Sequence, residues 1–217
     1  MKNKKKKKVI SMILVTLIVC QISSISVKAD GYVCDHGYYT LGDYILNGGV
    51  GNYGYTNRYY WIDSDFSSTY TTYIKNAVSQ WVNTTTAVGV TTPISIVYSS
   101  DKDVTVFDVY STYLGATTFG KTEFYKRDVP VELNSNGALP KNYGYTFIHI
   151  NPTALNASRW GVENVQKQAT IAHEFGHAMG LSHNNTDETS IMCQYQMGFR
   201  TAVRASAEDL RAINHLY

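Results

Sequence analysis

The sequence predicts an α+β domain, sandwich-like in outline, with its elements gathered on one sheet. Two observations carry that prediction. Short β-prone runs recur between residues 59 and 150. Two other segments repeat their apolar residues at helical rather than strand spacing, and mixing both periodicities in one chain points to helices packed on a sheet. A third observation sets the scale: 217 residues, less a short leader, suit one domain with one sizeable core.

The leader comes first. MKNKKKKK is basic, residues 9–20 are an apolar run, and Val27-Lys28-Ala29 offers a small residue at a cut. This is the pattern of a secretory signal peptide over residues 1–29. The apolar run is short for a membrane span. Cys20 supplies a minor alternative, a lipoprotein cut just before that cysteine. Seven lysines and no acid leave with residues 1–29, so 12 basic residues face 17 acidic ones and the net charge becomes −5. The basic balance of the whole chain therefore belongs to the leader, and no nucleic-acid partner is expected. Nor is stable membrane association once the leader is gone. Nothing in the sequence indicates an oligomer, so a monomer is expected.

Residues 30–57 are rich in Gly, Tyr and Asn and read as an extended arm. It serves as a short pro-segment, as a packed strap, or as both in turn. Residues 58–217 form the main domain. Residues 59–62 are a strand, and residues 69–82 an amphipathic helix through Tyr70, Ile74, Ala77, Val78 and Trp81. Strands follow at 94–98 and 104–109, separated by the polar turn 99–103. Residues 114–119 are a further strand candidate. Residues 120–143, with two prolines and an Asn-Ser-Asn-Gly turn signal, read as a loop that can hold a hairpin. Residues 145–150 are the last strand, stopped by Asn151-Pro152. A helix is predicted from about residue 160 to residue 180. A final helix covers 207–217 with Ser206 as N-cap.

The most informative run is HEFGHAMGLSH, residues 173–183. His173 and His177 are four apart on a helix and share a face. Two such imidazoles can grip one Zn²⁺, with Glu174 near enough to polarise a bound water. Gly180 can end the helix in a left-handed turn that swings His183 back as a third nitrogen. Three protein ligands leave a position open, as catalytic zinc requires. The plainer reading, histidines decorating a helix, explains HExxH by itself but not Gly180 and His183 at their offsets.

This run resembles the HExxHxxGxxH signature of the metzincin metallopeptidases. Met192, nine residues after His183, stands where the family places a methionine turn beneath the metal, and that short interval is similar to the matrixin, or matrix-metalloproteinase-like, branch. The order of elements in residues 59–217 resembles a matrixin catalytic domain, although only residues 173–192 are specific. The resemblance implies a twisted, mostly parallel five-stranded sheet, an active-site helix and a C-terminal helix. It implies a zinc endopeptidase acting on protein or peptide substrates; the leader makes a secreted protein the expectation, and its lysine-rich start and the small size suggest a bacterial exoprotein. One catalytic zinc would sit on His173, His177 and His183, and Glu174 would be general base to a zinc-bound water and then proton shuttle to the leaving amine. Met192 would pack below the histidines without ligating. The peptide would lie along an edge strand formed by Gly115, Ala116, Thr117, Thr118 and Phe119. The segment around Gln194 and Tyr195 would wall the pocket. A tyrosine ligand two places after the methionine is not supported, because Gln194 occupies that place.

Departures from the family are equally visible. Matrix metalloproteinases carry a long pro-domain with a cysteine that caps zinc, whereas here the short arm around Cys34 is the expected counterpart, and Tyr-Val-Cys-Asp-His-Gly is not the usual switch motif. Cys34 and Cys193 can form one disulfide tying the arm beside the site, Cys34 can cap zinc as a thiolate, or the two can be unrelated thiols. His149 reads as a core or surface histidine, and His36 and His215 are unassigned. Asp101/Asp103 or Asp187/Glu188 could take calcium, but it is not indicated, because short acidic pairs are usually just solvated. Two rival functions remain. A catalytically idle zinc-binding adhesion module would have no use for Glu174. A peptidoglycan amidase would scatter its ligands rather than place them on one helix and turn.

Overall fold

The computed structural model describes residues 36–194 and 200–217. In chain order the elements are β1 (Arg58–Ile62), α1 (Ser68–Val82), α2 (Thr84–Val88), β2 (Ile96–Tyr98), β3 (Phe107–Ser111), β4 (Gly120–Lys126), β5 (Val129–Pro130), β6 (Tyr145–Ile150), α3 (Pro152–Leu155), α4 (Asn164–Ala178) and α5 (Ala207–Leu216). They form one sheet in the order β2-β1-β3-β6-β4-β5. The pairs β1/β2, β1/β3 and β3/β6 are parallel, and β4 runs antiparallel to both β6 and β5.

The expected mixed fold with a mostly parallel sheet is present, with six strands rather than five. The sixth is β5, two residues long and invisible to any periodicity rule. It closes a hairpin whose two loop residues, Arg127 and Asp128, both have positive φ (53° and 63°). That geometry follows the right-handed twist of the flanking strands.

One face of the sheet is buried. In β6 the alternation puts Thr146, Ile148 and Ile150 inside and leaves Tyr145, Phe147 and His149 half exposed. The helices α1 and α4 pack together against the inner face. Phe175 of α4 is fully buried and meets Tyr60 and Phe107 edge-on or tilted. Trp81 of α1 is also fully buried, and its indole N–H donates to Ala172 O at 2.9 Å. Burial of a ring such as Phe175 contributes about 1.5–3 kcal/mol, more than the roughly 1 kcal/mol that Gly176 costs in the same helix. Packing, not propensity, therefore holds α4.

The strands expected at 94–98 and 104–109 are shorter or shifted, to Ile96–Tyr98 and Phe107–Ser111, because Lys102–Val104 form a 3-10 turn. Two further differences bear on the site. The active-site helix starts at Asn164, not near 160, because Ser158–Trp160 form a 3-10 turn closed by the left-handed Gly161. Residues Gly115, Ala116, Thr117, Thr118 and Phe119 are not a strand. The carbonyls of Gly115, Ala116 and Thr118 are taken by side chains instead of a ladder, and Phe119 O accepts from a backbone group, Asn151 N (2.9 Å). The Asn151 amide donates to Gly115 O (2.7 Å) and Thr118 O (2.8 Å), and Arg159 donates to Ala116 O (2.6 Å). The strand next to the active-site helix begins only at Gly120.

The described part of the arm is a packed strap. Leu41, Leu46 and Val50 lie in the core. Thr40 bridges Leu181 and Leu46 bridges Tyr143. The signal segment 1–29, Cys20, Cys34 and Tyr195 lie outside the described residues. Cys193 is a buried free thiol, and no disulfide is seen among the described residues. Among those residues, no helix is long and apolar enough to cross a membrane.

Candidate metal centre and active site

The site is assembled by one helix end. At the C-terminus of α4, Gly180 N donates to His177 O (2.8 Å) and Leu181 N to Gly176 O (3.0 Å), with Gly180 at φ 98°. These paired bonds and the left-handed glycine reverse the chain and satisfy carbonyls the helix would otherwise leave open. Tyr143 Oη and Tyr217 Oη donate to the next carbonyls, Ala178 O (2.8 Å) and Met179 O (3.0 Å). The chain then runs back along the arm, where Leu41 N donates to Gly180 O and Ser182 N to Tyr39 O. His183 is thereby delivered to the face carrying His173 and His177.

The three imidazoles converge. His177 Nε2 lies 3.1 Å from His173 Nε2 and 3.1 Å from His183 Nε2. The other ring nitrogens decide what this proximity means. His173 Nδ1 faces Ile191 O at 2.8 Å, and His177 Nδ1 faces Leu181 O at 2.8 Å. A carbonyl can only accept, so both Nδ1 atoms carry the proton and both Nε2 atoms carry a lone pair. Burial pushes the proton affinities down, to about 4 for His177 and about 3 for His183, and well below the ordinary range for His173. The rings are therefore neutral, and a close approach of two lone pairs is what a cation between them requires. The donor set fits zinc.

Met192 is fully buried beneath this cluster. A Cβ on Gly176 would collide with its Sδ, which is why the helix carries a glycine between the two histidines. The turn holding Met192 is tied down twice. Ser190 Oγ accepts from Met192 N (3.0 Å), and Asn184 N donates to Met192 O (3.1 Å). Asp209 of α5 anchors the same turn, accepting from Ser190 Oγ (2.5 Å) and Ile191 N (3.0 Å) while capping its own helix through Ser206 N (2.7 Å).

Glu174 lies on the sheet side of α4 and is 5% exposed. Its Oε2 accepts from Thr122 Oγ1 of β4 at 2.8 Å. Burial pushes its carboxyl up to about 7, against the opposing pull of Thr122 and the Arg200 charge. Gly120 makes room for it: a Cβ there would stand 2.6 Å from Glu174 Oε1.

A model of the family described as matrixin matches residues 66–217. This chain is a matrixin. It is accordingly a zinc metalloendopeptidase. No curated protein matches by sequence. Among solved structures it is similar to high choriolytic enzyme 1, a hatching-enzyme zinc protease from Medaka fish (Oryzias latipes). That match has 15% identity, 88% of this chain and 96% of that chain covered, and a TM-score of 0.43. It is also similar to myroilysin, at 16% identity, 88% and 91% coverage and a TM-score of 0.47.

Sequence reasoning about this matrixin missed four residues that shape the site: Gly120, Thr122, Asp209 and Arg200. Arg200, 3% exposed, donates to Thr170 Oγ1 on α4 at 3.0 Å. None sits in the signature run, and each reaches the site across a long sequence separation. Only the capping pair Ser206/Asp209 had a local signal. Gln194 is held by Asn185, whose Oδ1 accepts from Gln194 N and whose Nδ2 donates to Gln194 Oε1, both at 2.9 Å.

A prediction follows from Gly120. Its φ lies outside the left-handed region, so alanine suits the backbone, and the atoms it would strike are Oε1, Cγ and Cδ of Glu174, at 2.6, 2.7 and 2.8 Å. Gly120→Ala in this matrixin is expected to lower the melting temperature by a few degrees, as overpacking a buried side chain does, and to leave zinc content nearly unchanged. It should lower kcat/KM by about 10²-fold, the usual consequence of misplacing a reacting group by an ångström. Wild-type kcat/KM in the variant would mean that the observed Glu174 position is not the working one.

Proposed function

We propose that the chain is a secreted endopeptidase that cuts extended polypeptide, with zinc on His173, His177 and His183 and with Glu174 as the proton carrier. The observation that carries this reading is the pair of neutral, Nδ1-protonated histidines whose Nε2 lone pairs meet at 3.1 Å beside a buried carboxylate. A zinc ion held there would polarise the scissile carbonyl and lower the pKa of the attacking water.

The chain's own residues do the remainder. Glu174 takes a proton from the water as its oxygen bonds to the carbonyl carbon. The same carboxyl then gives that proton to the amine nitrogen as the C–N bond breaks. Thr122 holds the carboxylate by its Oε2 and leaves Oε1 for the proton. The substrate lies on β4 rather than on residues 115–119. Phe124 O accepts from Val131 N on the outer side of β4, so strand alternation turns the main-chain groups of Thr122 and Gly120 the same way. The partner β5 pairs only with Tyr125 and Lys126, which leaves the Gly120–Glu123 stretch as an edge for an added peptide strand. Residues 1–29 are the leader that secretion removes, and the strap of residues 36–57 stays with the domain.

The test is cleavage of an unfolded protein by the purified enzyme before chelation, after it, and after zinc is returned. Loss on chelation and recovery with zinc are expected. Undiminished cleavage by protein verified as zinc-free would sink the proposal.

A further inference from the structure

Five of the six histidines fall into two groups, and only one group belongs to the active site. The second consists of His36 and Asp43 on the strap and His215 on α5, with one ligand-type atom from each lying within 4.8 Å of the others. His215 Nε2 is 3.3 Å from Asp43 Oδ1, and His36 Nδ1 is 3.7 Å from Asp43 Oδ2. Ligands about 2.0–2.2 Å from a tetrahedral ion stand roughly 3.3–3.6 Å apart, and the two contacts to the Asp43 carboxylate lie close to that spacing.

The groups are also oriented from behind. Thr40 Oγ1 donates to Asp43 Oδ1 at 2.7 Å. The Tyr38 ring stacks on His215 at 4.8 Å and 25°. Gly42 and Asp43 both adopt positive φ (83° and 59°), a tight reversal that brings Asp43 back towards His36. A non-glycine residue in that region is uncommon. Outer contacts that fix ligand orientation are a mark of metal sites. An exposed ion pair, by contrast, returns at most about 1 kcal/mol and does not account for three converging groups with two supports.

We propose that His36, Asp43 and His215 form a second divalent-metal site, zinc being the ion that two imidazoles and one carboxylate suit best. Its side chains are 67%, 36% and 20% exposed, so water completes the coordination. The ion clamps the strap to α5. Three residues beyond His36, the same strap begins its pairing with Leu181 and Ser182, just before His183. The second site therefore braces the segment that carries the third histidine of the first.

Zinc titration of the full chain, followed calorimetrically and by metal analysis, tests this. Two binding events per chain are expected, the weaker one at the strap. Both His36→Ala and His215→Ala should weaken the second event by at least about 10–100-fold, the loss typical when even an outer partner is removed. They should leave the first event intact. His149→Ala, the control at the remaining histidine, should keep both. Because His36 is well exposed, its alanine variant folds, and zinc-dependent slowing of amide exchange at residues 39–41 should vanish in it. A wild type that binds one zinc only, or a second event that survives both substitutions, overturns the proposal.

Discussion

Glu174→Gln is expected to lower kcat by about 10²–10⁴-fold, the range general acid–base groups contribute. Zinc content and KM should be nearly unchanged. The amide matches the carboxylate in shape, so it can still accept from Thr122 Oγ1 and still fits against Gly120. What it cannot do is take a proton from water and pass it on. The stability change should be small or favourable. Glu174 is 5% exposed, and burial disfavours its charge strongly enough to raise its pKa, so the neutral side chain removes a cost. Paired measurement of kcat and melting temperature therefore separates a role in the reaction from a role in the fold. A zinc-loaded variant that keeps more than about a tenth of wild-type kcat would place the proton carrier elsewhere.

The second large effect is structural and starts about one helix away. Asp209→Ala should lower the melting temperature by about 10 °C, corresponding to about 3–5 kcal/mol for a domain of this size. The carboxylate accepts from three donors at once: Ser190 Oγ, Ile191 N and Ser206 N. Removing it leaves buried backbone N–H groups without their acceptor and deletes half of the capping box of α5. The effect then travels. Ile191 supplies the carbonyl that fixes the His173 ring, and Ser190 Oγ holds the turn under Met192. Zinc affinity is accordingly expected to fall about 10–100-fold, as when an outer partner of a ligand is lost. Asp209→Asn keeps one oxygen acceptor and should fall between wild type and Asp209→Ala on both scales. Unchanged zinc affinity in a destabilised Asp209→Ala would confine Asp209 to helix capping.

How much of this was legible beforehand can be judged residue by residue. His173, His177, Gly180 and His183 could be read because their geometry is set by helix pitch and one terminal glycine, both local properties. Met192 was legible only through the family resemblance, since its spacing from His183 has no local physical meaning. The helix at 68–82 and the Ser206 cap were likewise readable from short-range pattern. The strand at the active site was misplaced onto Gly115–Phe119, whose small and β-branched residues suit a strand. Asn151, Arg159 and Trp160 claim the carbonyls there, and they reach that segment only after the sheet has formed.

By itself, then, the sequence determined the mixed fold, the helix that bears two histidines, the turn that delivers the third, and the carboxylate beside them. Only the tertiary structure decided which strand faces Glu174, that Gly120 makes room for its carboxylate, that Asp209 steadies the turn beneath Met192, and that His36 and His215, 179 positions apart by their numbering, meet at Asp43. The physical reason is range. Helix periodicity and caps act over a few residues and are written in consecutive letters. Edge pairing, buried polar anchors and a cross-chain ligand set depend on contacts that exist only once the core has closed.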